Sequence, residues 1–175
     1  MADEERRGPN GRIASDLASL GELSEIHRWI PGPNGIRPTA AALEKKRKLV
    51  REIESGWSSV RDYLLHTVFG KRAGSNYVGQ RYAEDCAPPE LPLESRFLPN
   101  DFPYQLEDAT GQHWVLWYFP SGRPEELTDE AINQHVAQHL RELCGDISVA
   151  WAWYENPKMS VPDLYHVQVF WKVFS

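Results

Sequence analysis

The run His113-Trp114-Val115-Leu116-Trp117-Tyr118-Phe119 carries almost no group that gains by facing water. A continuous apolar and aromatic stretch of this length, stopped by Pro120-Ser121-Gly122-Arg123-Pro124, reads as a central strand buried on both faces. The rest of the chain must therefore supply neighbours and cover for it. After the stop, Thr128 is a helix cap with Asp129 and Glu130 in the first turn, where negative charge suits the helix dipole. Ile132, Val136, Leu140 and Leu143 make the apolar stripe of that helix, and Gly145 ends it. Ile147, Val149, Trp151 and Trp153 then alternate with Ser148, Ala150, Ala152 and Tyr154, a strand with one heavily aromatic face. Asn156-Pro157 breaks it. A last strand sets Tyr165, Val167, Val169, Trp171 and Val173 against Leu164, His166, Gln168, Phe170, Lys172 and Phe174.

This half reads strand, helix, strand, loop, strand. The short link between the last two strands calls for antiparallel pairing. Upstream, Thr39 caps a long helix whose seam is Leu43, Val50, Ile53, Trp57, Val60, Leu64 and Val68, with Gly56 placed to split it in two. A further helix is expected over residues 15 to 30, capped by Ser15 and ended by Pro31-Gly32-Pro33-Asn34-Gly35. The expected class is α+β, an antiparallel sheet with a crossing helix and the N-terminal helices packed on it. Residues 1–12 read as a disordered tail. Residues 13–175 read as one domain: a helical part at 13–69, a long ordered connection at 70–99 anchored by Tyr77, Val78, Tyr82, Leu91, Leu93 and Phe97, and a sheet part at 100–175.

Length and composition bound the function. A chain of 175 residues is long enough to bury a real core. No stretch is apolar enough to span a membrane, and the charged start lacks the apolar centre of a signal peptide. A net charge of -6 argues against nucleic acid as a partner, because such binding neutralises phosphates with Lys and Arg. Two cysteines, Cys86 and Cys144, form no framework, which points to a reducing cytoplasmic or nuclear compartment. Gly-rich phosphate loops, G-x-S-x-G and clustered Cys ligands are lacking, so no cofactor and no metal is expected.

The polar groups on the last strand are the chief candidates for a site, since buried polar groups cost free energy unless partnered. Asn- and Pro-bearing loops enter both the central and the last strand, and each strand has a histidine near its start. Neighbouring strands would bring His113, His166 and Asn156 together, with Ser160 and Gln168 completing a ligand-binding pocket. Imidazoles titrate near neutrality and suit phosphate binding or proton transfer. The same groups could instead satisfy loop backbone atoms. His135 and His139, four apart on a helix, share a side but lack the further ligands of a metal site. The run Lys45-Lys46-Arg47-Lys48, with Arg51, is either a solvated face or a patch for an anionic ligand or partner.

Two resemblances follow from these motifs. Leu98-Pro99-Asn100-Asp101-Phe102-Pro103-Tyr104, Gly111-Gln112-His113-Trp114, Asn156-Pro157, Ser160-Val161-Pro162 and His166-Val167 resemble a family of uncharacterised eukaryotic and viral proteins that includes the fungal N-acetylglucosamine-induced protein. The resemblance covers about residues 57 to 175. It implies a cytoplasmic or nuclear protein linked to amino-sugar response, with no established activity. Members usually carry His-x-His in the last strand, where this chain has His166-Val167-Gln168. The order of elements also resembles the histidine-triad nucleotide-binding fold, in which the middle His attacks an α-phosphate. Gln168 stands at that position and Phe170 at the third, and an amide cannot be that nucleophile. The resemblance then implies that His166 and Gln168 hold a phosphate or ribose by hydrogen bonds.

The expected function is binding of a nucleotide, sugar nucleotide or other phosphate-bearing metabolite at the last strand, without covalent histidine catalysis. The alternative is a protein-interaction module using an aromatic and basic surface with a protein partner. A third reading gives His166 a general-base role in a hydrolase or transferase.

Overall fold

The structure, a computed structural model, describes residues 7–8, 11–15, 38–84, 92–104, 106, 110–120, 127–156 and 159–173. Its strands are β1 (Arg7–Gly8), β2 (Gly11–Ser15), β3 (Ala73–Ser75), β4 (Arg81–Ala83), β5 (Glu94–Pro99), β6 (Gln112–Phe119), β7 (Val149–Tyr154) and β8 (His166–Val173). Its helices are α1 (Ala40–Gly56), α2 (Val60–Thr67) and α3 (Asp129–Cys144). Strands β7, β8, β6 and β5 lie side by side in an antiparallel sheet, and β2 then β1 continue it beyond β7. Strands β3 and β4 form a separate hairpin. The fold is α+β, with helices packed on an antiparallel sheet.

The apolar run at 113–119 becomes β6, held between β8 and β5. Register sets its two faces. Leu116 opposes Val167, Trp114 opposes Val169, and Trp151 opposes Trp171. These residues share one face, and α3 covers it with Ile132, Val136 and Leu140, each at most 1% exposed. Burial on this scale contributes about 2 kcal/mol per large aliphatic side chain. Leu143, expected in the same stripe, is 48% exposed in the last turn. The helix starts where Thr128 Oγ1 accepts from Ala131 N at 3.2 Å. It stops at Gly145, whose φ of 66° suits a residue without a side chain.

The opposite face of β6 presents His113, Val115, Trp117 and Phe119, beside His166, Gln168 and Phe170 of β8. Leu65 and Phe69, from α2 and its end, pack with Phe119 and Leu164 to cover one end. The α1–α2 break falls at Gly56, as the seam suggested: Trp57 is extended, and Ser59 Oγ accepts from Asp62 N to start α2. Leu43 at the head of that seam is 38% exposed.

Other expectations need correction. Residues of the expected disordered tail lie in β1 and β2, and Ser15 ends a strand rather than capping a helix. The physical reason is the free edge of β7, whose main-chain groups pair with Ile13, Ala14 and Ser15. The rest of the expected 15–30 helix lies outside the described residues. The connection at 70–99 contains β3, β4 and β5. Tyr77 and Val78, expected as anchors, stand at the β3–β4 tip, 100% and 62% exposed. The tip is fixed by polar bonds instead: Asn76 Oδ1 accepts from the amides of Val78 and Gln80, and Gly79 takes φ 83°.

Candidate functional site

Strands β6 and β8 do pair, but antiparallel strands that each carry a histidine near their start place the two at opposite ends. His113 sits opposite Phe170, and His166 sits opposite Trp117. Four residues of strand separate these pairs, about 13 Å. The expected pocket therefore divides into two centres on the same face of the sheet.

At the first centre, His113 is 5% exposed and fully engaged. Tyr104 N donates to its Nδ1 at 2.9 Å. That assigns the proton to Nε2, which donates to Gln168 Oε1 at 2.7 Å. Asn100 Nδ2 donates to the same oxygen at 3.0 Å. The Phe170 ring stacks on the imidazole with centroids 4.5 Å apart, and Tyr104 meets it edge-on at 4.7 Å. Burial pushes the imidazole down to about 4, opposed by the Gln168 bond. It is neutral at physiological pH and serves as a junction. A hollow of about 370 Å³ opens beside it, bordered by Asn100, Tyr104, Gly111, Gln112 and His113. Among the described residues none of its lining side chains is charged.

The second centre forms where β8 begins. His166, 4% exposed, donates from Nδ1 to Leu164 O at 2.8 Å and packs on Trp117 with centroids 4.4 Å apart. Its Nε2 is then the lone-pair nitrogen. Burial lowers its basicity; the Leu164 bond opposes this, and the nearby Lys46 ammonium lowers it further. Lys46 reaches down from α1, and its Nζ donates to Ser160 Oγ at 3.0 Å. Its neighbour Lys45 lies over the Phe102 ring. On the outer side of α1, Arg47 and Arg51 pair with Glu44, and Lys48 pairs with Glu52. Among the described residues neither Lys45 nor Lys46 has a carboxylate within ion-pairing distance.

Of the five residues expected to share a pocket, His113 and Gln168 are bonded to each other. Ser160 is bonded to Lys46, close enough to His166 for that ammonium to be felt. Asn156 lies two residues beyond Tyr154, the register partner of Gln168. Asn100, Tyr104 and Lys46 were not among the five residues expected to share the pocket. Asn100 stood in a loop already marked by its Asn and Pro content. Lys46 stood in a charge run whose two sides only the helix geometry separates. The helical pair His135 and His139 diverges: His135 Nδ1 lies 3.2 Å from Tyr118 Oη, and His139 Nε2 lies 2.9 Å from Ser95 Oγ. Burial lowers both imidazoles. Among the described residues no cluster of three or more His, Cys, Asp or Glu is placed to hold a metal ion, and no helix is long and apolar enough to cross a membrane.

The chain matches no protein-family model, no curated protein and no solved structure.

Proposed function

We propose that the protein binds a phosphate-bearing metabolite of the nucleotide, sugar-nucleotide or sugar-phosphate class where Lys46 of α1 meets Ser160 in the segment leading into β8. The observation that carries this reading is the 3.0 Å contact from Lys46 Nζ to Ser160 Oγ beside buried His166. An ammonium without a carboxylate partner among the described residues, a hydroxyl and an imidazole lone pair make a complementary set. The cation and the hydroxyl suit a phosphate, and the lone pair suits a sugar hydroxyl donor. Nothing in this arrangement needs a covalent histidine intermediate, in keeping with Gln168 at the position where the histidine-triad resemblance would have its nucleophile. The Asn100–His113–Gln168 junction holds β8 and the Asn100 loop in place.

Titration calorimetry against nucleotides, sugar nucleotides and sugar phosphates tests this. Binding by one class, weakened at least about tenfold in Lys46→Gln, is the expected result, since one charge-assisted bond contributes about 1.5–3 kcal/mol. A folded sample silent across the panel, or affinity unchanged in Lys46→Gln, overturns it.

The second reading, a protein-interaction module, draws on the β3–β4 tip. There Tyr77 and Val78 project from a turn locked by Asn76. Recovery of one stoichiometric partner by the wild-type chain, lost in Tyr77→Ser and kept in Lys46→Gln, would favour it.

A further inference from the structure

We propose that Ser95, His139 and Glu142 form a nucleophilic centre for hydrolysis of small carboxylic esters on the α3 face of the sheet. The face is opposite to the one bearing Lys46 and His166, and the proposal does not depend on the metabolite reading.

Ser95 comes from β5 and the other two from α3. Ser95 Oγ lies 2.9 Å from His139 Nε2, and His139 Nδ1 lies 3.7 Å from Glu142 Oε2. The other carboxylate oxygen, Oε1, accepts from Gln138 Nε2 at 2.9 Å, which fixes the carboxylate in direction. Hydroxyl, imidazole and carboxylate thus follow in the order by which a serine nucleophile is activated on unrelated folds. With the serine hydroxyl donating to Nε2, the Nδ1–H tautomer faces Glu142, the arrangement that stabilises an imidazolium when a proton arrives. The groups that face His139 are Glu142 and His135 of α3 and Arg96 of β5. Burial keeps the imidazole in its basic form at neutral pH, with Glu142 opposing and His135 and Arg96 reinforcing that direction.

The centre is open to solvent: the His139 side chain is 22% exposed, the Glu142 side chain 60%, and Ser95 half-buried. The β5 main chain supplies one hydrogen-bond donor. Asn100 N–H bonds His113 O, so alternation along an antiparallel pair turns the main-chain groups of Glu94, Arg96 and Leu98 toward β6. The N–H group of Ser95 then faces the outer edge, where β5 is the last strand of the sheet among the described residues. A carbonyl oxygen approached by Ser95 Oγ meets this one donor as it becomes an oxyanion. The Phe97 ring, 5.8 Å from the His139 ring and 4.7 Å from that of Trp114, provides an apolar wall for an acyl chain.

In the first step Ser95 Oγ bonds to the ester carbonyl carbon and its proton passes to His139 Nε2. The bond from that carbon to the alcohol oxygen then breaks, and His139 returns the proton to the departing alcohol. Water attacks the acyl-serine, gives a proton to His139, and the acid leaves as Ser95 Oγ regains that proton. Ester and water go to acid and alcohol, with no other reactant.

The test uses the full chain, p-nitrophenyl acetate as substrate and a fluorophosphonate label mapped by peptide mass spectrometry. The expected result is an adduct on Ser95 and hydrolysis reduced roughly a hundredfold or more in Ser95→Ala and His139→Gln. Glu142 is a positioning residue. Glu142→Gln should lower kcat at unchanged KM and move the acid limb of the kcat/KM profile to lower pH, because the imidazolium loses its counter-charge. Absence of label on Ser95 in the folded wild-type chain overturns the proposal, and so does undiminished hydrolysis in Ser95→Ala. The wild-type label decides even where His139→Gln fails to fold.

Discussion

Gln168 Oε1 lies 2.7 Å from His113 Nε2, joining side chains 55 residues apart in the chain. The amide oxygen also accepts from Asn100 Nδ2. One acceptor therefore ties the centre of β8, the start of β6 and the loop after β5. Both partners donate to it, so the 3.4 Å approach of Asn100 Nδ2 to His113 Nε2 is a meeting of two donors at a shared oxygen.

Removing that oxygen leaves two donors without a partner. Gln168→Leu should destabilise the fold by about 2–4 kcal/mol, since an orphaned buried donor costs about 1–3 kcal/mol. Asn100→Ala should cost less, and the two changes together less than their sum, by about 1 kcal/mol. Urea unfolding of the four chains of this cycle measures the coupling. Additive losses would mean that the two groups act separately.

Stability should depend on pH through His113. An unfolded imidazole titrates near 6.5 and this one near 4 in the fold. Between those values the unfolded chain binds more protons, so stability falls as pH falls. Stability is at its full value above 6.5, and the loss amounts to roughly 3 kcal/mol by pH 4. His135, His139 and His166, lowered by burial, act in the same direction. Urea midpoints at about pH 7.5 and about pH 4.5 should differ accordingly, and His113→Gln should flatten the slope.

Two buried tryptophans should respond differently to the same change. Trp153 Nε1 donates to Asn133 Oδ1 at 2.7 Å. Trp171 Nε1 is buried with no hydrogen-bond partner among the described residues. Replacement by Phe removes similar apolar area from each. Trp153→Phe also breaks a bond, whereas Trp171→Phe removes a donor that lacked one. Thermal melts should show Trp153→Phe to be the more destabilising by about 1–2 kcal/mol.

Asp62 joins two elements. Its Oδ2 accepts from Ser59 Oγ at 2.7 Å and its Oδ1 from Ala83 N at 3.0 Å. Asp62→Ala should cost about 2 kcal/mol through a weakened cap and an unpaired strand amide. Hydrogen exchange at the Ala83 amide should quicken well beyond that of the β6 core.

Much of the architecture was legible because periodicity and capping are local. Thr39 and Thr128 cap helices where their position before apolar stripes said they would. The run at 113–119 and the alternation at 164–174 became neighbouring strands. The hairpin at 73–83 was hidden because Ala, Gly and Ser offer no alternation, and a short pair held by Asn76 needs none. The candidate site was legible only in part. His113 and Gln168 meet, but chain direction, not residue identity, sent His166 to the other end. Lys46 was one cation among five until the helix turned it toward Ser160. The pairing of Ser95 with His139 crosses from an edge strand to a helix, which no spacing encodes.

Strand β8 bonds to β7 on one side and β6 on the other, yet it follows both along the chain. A ribosome therefore delivers the two flanking strands first, with a vacant slot between them and two unpaired aromatic-rich borders. The nascent chain cannot close its hydrophobic layers until Val167, Val169 and Phe170 emerge and insert. Folding speed and the risk of misassembly in the cell thus rest on the arrival of this late segment, and a protein of this design gains by being shielded until translation has passed it.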